Sequence, residues 1–104
     1  MSKTINCCLN LVCHKMLEER LIDHLQDHPE WVNGFSVGAI DGHSQHEALP
    51  SMLEQVRGRS RRIEIRCVMN LEDAQALLAH LKTSEANSEI AYWITPVLEY
   101  GRLA

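Results

Sequence analysis

The sequence predicts a single α+β domain in which two helices lie on one face of a four-stranded antiparallel sheet. Two observations carry this. The spacing of apolar residues switches between a period of two and a helical period in the order β-α-β and then again β-α-β. Between these matching halves runs one long central loop, 42–62, reading GHSQHEALPSMLEQVRGRSRR. With 45% hydrophobic residues in 104, the chain has material for one compact core and no second domain.

The elements follow in order. From Thr4 to Cys13, Ile5, Cys7, Leu9, Leu11 and Cys13 alternate with Asn6, Cys8, Asn10 and Val12, the pattern of a half-buried strand. From His14 to His28 the leucines at 17, 21 and 25, with Ile22 beside them, form a helical stripe that Pro29 stops. A second strand, Asn33 to Asp41, sets Phe35, Val37 and Ala39 on one side between Gly34 and Gly42. After the loop, Ile63, Ile65, Cys67 and Met69 alternate with Arg62, Glu64, Arg66 and Val68. Asn70 is suited to cap a second helix, whose stripe is Leu71, Ala74, Leu77, Leu78 and Leu81 and whose Glu72 and Asp73 face the positive helix N-terminus. That helix ends near Thr83. A polar linker, Ser84 to Glu89, leads to a last strand from Ile90 to Leu98 rich in β-branched and aromatic residues.

This order is the split βαβ, or ferredoxin-like, arrangement βαββαβ. It leaves one sheet face without helices. Asn6, Cys8, Asn10, Val12, Ile40, Glu64, Arg66, Val68, Trp93, Thr95 and Val97 fall there, partly too apolar for water, so the face is expected to be buried in a homo-oligomer.

The pattern resembles the PII family of bacterial signalling proteins over nearly the whole chain. The patches that carry the likeness are Gly34-Phe35-Ser36-Val37 leading to Ile40-Asp41-Gly42, then Arg62-Ile63-Glu64-Ile65, and Ile94-Thr95-Pro96-Val97. The resemblance implies a PII-like homotrimer with inward-facing sheets and a central loop that grips a partner protein such as a membrane transporter. Two departures stand out. Where PII proteins cradle nucleotide phosphates in a glycine-rich turn, this chain reads Thr83-Ser84-Glu85-Ala86-Asn87-Ser88-Glu89, with two carboxylates and no glycine. The loop also lacks a tyrosine to accept a nucleotidyl group, because both tyrosines, Tyr92 and Tyr100, belong to the last strand. ATP and 2-oxoglutarate are therefore not expected. The nearer likeness is to short PII-like proteins often encoded beside heavy-metal efflux pumps, which implies a link to metal-ion homeostasis or transport.

Candidate site residues concentrate in the loop. His43, Gln45, His46, Glu47, Arg57 and Arg59 are the expected partner-binding residues, and His43, His46 and Glu47 offer two imidazoles and a carboxylate suited to a divalent transition metal. The other reading of these residues is a solvated polar loop. His24 and His28 are one helical turn apart and form a second candidate metal pair; alternatively they flank the core, with His28 facing the last carbonyls of its helix. The run Arg57-Gly58-Arg59-Ser60-Arg61-Arg62 suits a phosphate or carboxylate ligand, or an ion-pair layer with Glu54 and Glu64.

The remaining features exclude more than they select. A net charge of −4 with one short basic run argues against nucleic acid. The N-terminal apolar run, broken by Asn6 and Asn10, is too short and polar for a signal peptide or a membrane span, and a cytoplasmic protein is expected. The four cysteines contain no C-x-x-C and read as reduced core residues, apart from Cys8 on the open face. No G-x-S-x-G, P-loop or paired carboxylate motif is present, so the chain is not expected to be an enzyme. Two functions follow: a PII-like regulator or adaptor acting through its loop on a transporter, or a direct metal-binding protein accessory to heavy-metal efflux with no regulatory partner.

Overall fold

A computed structural model describes residues 3–42 and 60–104. Strand β1 (Cys7–His14) runs through a 3-10 turn (Lys15–Leu17) into helix α1 (Glu18–Gln26), and strand β2 (Ser36–Gly42) completes the first half. The second half comprises strand β3 (Ser60–Met69), helix α2 (Leu71–Ser84) and strand β4 (Ala91–Pro96). All neighbours in the sheet are antiparallel, in the order β2-β3-β1-β4. This is the ferredoxin-like α+β fold that the sequence predicts.

Register explains the two faces. Leu9 pairs with Cys67 and Ile94, and Leu11 with Ile65 and Tyr92, so these side chains share the helix-covered side. There they join Leu21, Leu25, Leu77 and Leu81 in one buried core, with Leu17, Trp31, Phe35, Ile90 and Ile94 packed at its margin; Leu71, expected on the stripe of α2, is instead exposed at the first residue of the helix, beyond the core. On the opposite side Asn10 sits between Arg66 and Trp93, and Cys8 between Val68 and Thr95. Cys7, Cys13 and Cys67 are buried in the core, whereas Cys8 is only half-buried, as the alternation requires.

Several boundaries differ from the sequence pattern, each for a local reason. β2 begins at Ser36 rather than Asn33, because the Gly34 carbonyl accepts the Cys67 thiol at 3.2 Å instead of joining the ladder. His14 does not start α1. Its Nδ1 accepts the Met16 N–H at 3.0 Å and caps the 3-10 turn, which delays the helix to Glu18. β4 ends at Pro96, which has no N–H to donate; after one further bond from Val97 N–H to Asn6 O, the chain leaves the sheet with Leu98 wholly exposed. Val37 and Ala39 lie on the same side as Ile65 and Ile63 but are exposed among the described residues, where neither α1 nor α2 packs closely on β2.

The N-terminus of α2 is anchored at two points. Asn70 caps it as expected, its Oδ1 accepting the Glu72 N–H at 3.0 Å. Asn6, expected on the open face, instead turns its Oδ1 to the Leu71 N–H at 2.9 Å and satisfies a second donor that the helix cannot pair internally.

Candidate functional site

The two helices run antiparallel across the sheet, because Arg20 near the start of α1 meets Glu85 just after α2, while His28 just after α1 meets His80 within α2. Each helix turns its leucines to the core. The flanks of those stripes then face each other, and three histidines collect there.

His28 is the most constrained. Its Nδ1 lies 2.9 Å from a carboxylate oxygen of Glu30 and its Nε2 lies 3.2 Å from Nε2 of His80. The ring stacks on Trp31, with centroids 4.7 Å apart and planes 15° apart. The cause is local: Trp31 and Val32 both donate backbone N–H groups to the His28 carbonyl, forming a tight turn after α1 that folds Glu30 and Trp31 back around the ring. That hydrogen bond from His28 holds the Glu30 carboxyl below its usual range, and the carboxylate can only accept, so Nδ1 of His28 carries the proton; in a neutral ring Nε2 is then the atom whose lone pair faces His80.

His24 completes the group less tightly. Its ring centroid is 5.8 Å from that of His80, and its Nε2 is 3.7 Å from Glu85. Glu85 in turn takes Arg20 at 2.6 Å, with its own side chain almost fully covered. As the side chains stand, no three His, Cys, Asp or Glu donors converge on a single point among the described residues.

Beyond α2, Asn87 organises the turn into β4. Its Oδ1 accepts the Glu89 N–H at 2.8 Å and its carbonyl accepts the Ile90 N–H at 3.1 Å. Two backbone donors of the turn are thereby used within it. Beneath lies a groove of about 420 Å³ lined by apolar side chains including Leu21, Leu78, Leu81, Ile90 and Tyr92.

Of the residues singled out from sequence, His24 and His28 both flank His80, and the His28 ring turns to Glu30, Trp31 and His80 rather than to the carbonyls of α1. His43, Gln45, His46, Glu47, Arg57 and Arg59 lie outside the described residues. What the sequence reading missed is His80, with Glu30 and Trp31. The available signal was positional: His80 stands one residue from Leu81 on the margin of its stripe, as His24 stands beside Leu25.

A family model, that of the protein of unknown function DUF3240, matches residues 3–104. The chain belongs to the DUF3240 family. A crystal structure of a DUF3240 protein from Shewanella baltica OS155 superposes with a TM-score of 0.75 at 22% identity, covering 98% of this chain and 100% of that one. The same DUF3240 fold is shared with a PII-like protein, CPII of Thiomonas intermedia K12, described as nitrogen regulatory and bound to ADP, AMP and bicarbonate, at a TM-score of 0.71 and 15% identity over 97% of this chain and 98% of that one. A putative PII-like signaling protein from Thermus thermophilus matches at a TM-score of 0.64 and 16% identity, over 93% of this chain and 91% of that one. No curated protein matches this DUF3240 chain. The PII-like architecture expected from sequence is thus shared with solved structures, and no helix among the described residues is long and apolar enough to cross a membrane.

Proposed function

We propose that this DUF3240 chain is a PII-like regulator, a cytoplasmic homotrimer whose central loop, expected over 42–62 but shortened to 43–59 because β2 runs to Gly42 and β3 starts at Ser60, engages a membrane transporter in response to a divalent transition metal. One observation carries the reading. The β2–β3 ladder is paired out to Asp41↔Arg61 and Gly42↔Ser60, so both ends of that segment start side by side from one corner of the sheet. A segment presented in this way is held at a fixed origin, and an effector acts on it by favouring one of its arrangements.

Three further features support the reading. Its structural neighbours include proteins described as signalling and nitrogen regulatory. The open sheet face carries Trp93 at 43% exposure beside Cys8, Val68 and Thr95, surface that the other subunits of a trimer cover. At the turn after α2, Asn87 occupies two N–H groups and Glu85 adds a carboxylate, which disfavours a nucleotide phosphate there. The histidines between the helices serve equally the second reading, a metal-binding protein with no partner.

Native mass spectrometry of the metal-stripped chain, alone and with zinc, copper, nickel, cobalt or ATP, tests assembly and effector together. The expected result is a trimer that takes up metal and ignores ATP. Co-sedimentation with membranes then separates the two readings: a regulator binds them in a metal-dependent manner that is lost when 43–59 is replaced by a glycine-serine linker. Binding indifferent to that replacement, or a monomer, would refute the regulator.

A further inference from the structure

We infer that His28 and His80, with His24 as third donor, form a binding site for one divalent ion of the imidazole-preferring class: zinc, copper, nickel or cobalt. The site supplies the effector for the regulatory reading above and rests on that reading only for its biological use. Its basis is the geometry between the helices.

Two imidazole nitrogens on one tetrahedral ion, each about 2.0–2.1 Å from it, stand about 3.3 Å apart. The Nε2 atoms of His28 and His80 are 3.2 Å apart. A histidine-to-histidine hydrogen bond also fits that distance, so the surroundings decide. Glu30 takes the Nδ1–H of His28, which in the neutral ring leaves Nε2 as the ligand atom and fixes the ring's orientation, the arrangement seen behind metal-bound histidines. Trp31 holds the ring plane from one side. One primary donor, His28, sits in the turn that closes α1 and the other, His80, lies within α2, so an ion between them is gripped by elements already fixed on the core.

His24 is one turn before His28 on the same flank and reaches toward His80. Only a long contact of 3.7 Å holds it to Glu85, which already has Arg20 at 2.6 Å. Rotating His24 inward therefore strands no charge. Side-chain exposures of 25% for His24 and 21% for His28 leave a path for the ion and room for water in the remaining positions. The chemistry also excludes competitors. Calcium and magnesium require several oxygen ligands, and the two carboxylates beside these histidines are engaged, Glu30 with Nδ1 of His28 and Glu85 with Arg20. A thiolate-seeking ion finds no partner here, because Cys7, Cys13 and Cys67 lie in the core and Cys8 belongs to the opposite sheet face.

The test uses the full-length, metal-stripped chain carrying Trp93→Phe, so that Trp31 is the single tryptophan. Calorimetry with zinc chloride should give one ion per chain, and copper(II) chloride should quench Trp31 fluorescence with the same stoichiometry. His80→Gln and His28→Gln should each weaken binding by at least about tenfold, and Glu30→Gln by roughly tenfold through loss of the orienting carboxylate. Glu30 is an exposed side chain, so its variant stays folded even if a histidine variant does not. Replacing His43 and His46 with alanine should leave affinity and quenching unchanged. Unaltered affinity in the His28, His80 and Glu30 variants, copper binding that leaves Trp31 bright, or loss of binding in the loop variant would each overturn the site. If the ion binds as described but membrane co-sedimentation ignores it, the site stands and the regulatory reading falls; if co-sedimentation responds to zinc while the His28, His80 and Glu30 variants bind it with unaltered affinity, the site falls and the regulatory reading stands.

Discussion

The sheet's two faces are written with the same alternation yet become chemically unlike. On the covered face Leu9 and Ile65 are fully buried beneath the helices; on the other, Trp93 remains 43% exposed beside Asn10, with Arg66 and Glu64 ion-paired to one another nearby. Alternation only separates the residues into two sets. Burial depends on what lies above them, as β2 makes clear: Val37 and Ala39 share the side of Ile65 and Ile63, but among the described residues neither α1 nor α2 packs closely over them and they stay exposed. The covered face is completed by the chain itself, whereas the open face still has apolar surface to cover.

Substitutions that treat the faces differently test this contrast. The largest effect belongs to the covered face. Ile65→Ala removes a fully buried side chain between two strands and should lower stability by about 2–5 kcal/mol, read as the shift in urea unfolding free energy. A loss below about 1 kcal/mol would mean that the core there is slack.

A pH dependence from the same face comes next. Burial pushes the Cys67 thiol from its ordinary 9.0 up to about 11, so the folded chain holds this proton more tightly than the unfolded chain does. That contribution to stability is complete below about pH 9 and is lost as pH rises through 11. Urea titrations between pH 8 and 11 should show a decline that Cys67→Ala reduces; an unchanged slope would assign it to other groups. Asn70→Ala, which removes the cap of α2, should cost about 1 kcal/mol in the same assay.

The smallest effect on the fold is expected from the open face. In the trimer proposed above, Trp93→Glu should leave the circular dichroism spectrum intact while shifting the native mass to that of a monomer. An unfolded spectrum would show that Trp93 supports the subunit itself, and an unmoved mass would remove this face from the assembly.

Much of the fold was legible because it rests on short-range periodicity. The stripes through Leu21 and Leu25 and through Leu77 and Leu81, the cap at Asn70 and the sidedness of β1 and β3 are properties of neighbouring residues. Element ends were less legible, since Gly34 and Pro96 act through hydrogen bonds made or refused across the sheet. The histidine group was only half visible. His24 and His28 announce themselves by spacing, but His80 is 52 residues beyond His28, and only the antiparallel packing of two helices joins them. Glu30 and Trp31 enter through the turn at the His28 carbonyl, which no apolar pattern reports.

The uneven placement of the four thiols gives the protein a built-in chemical footprint. A maleimide offered to a folded, isolated subunit meets Cys8 first; a neighbour over the open face shields it, and the three buried sulfurs react only when the core opens. The number of adducts per chain, counted by mass, would therefore separate assembled, dissociated and unfolded molecules in a single spectrum.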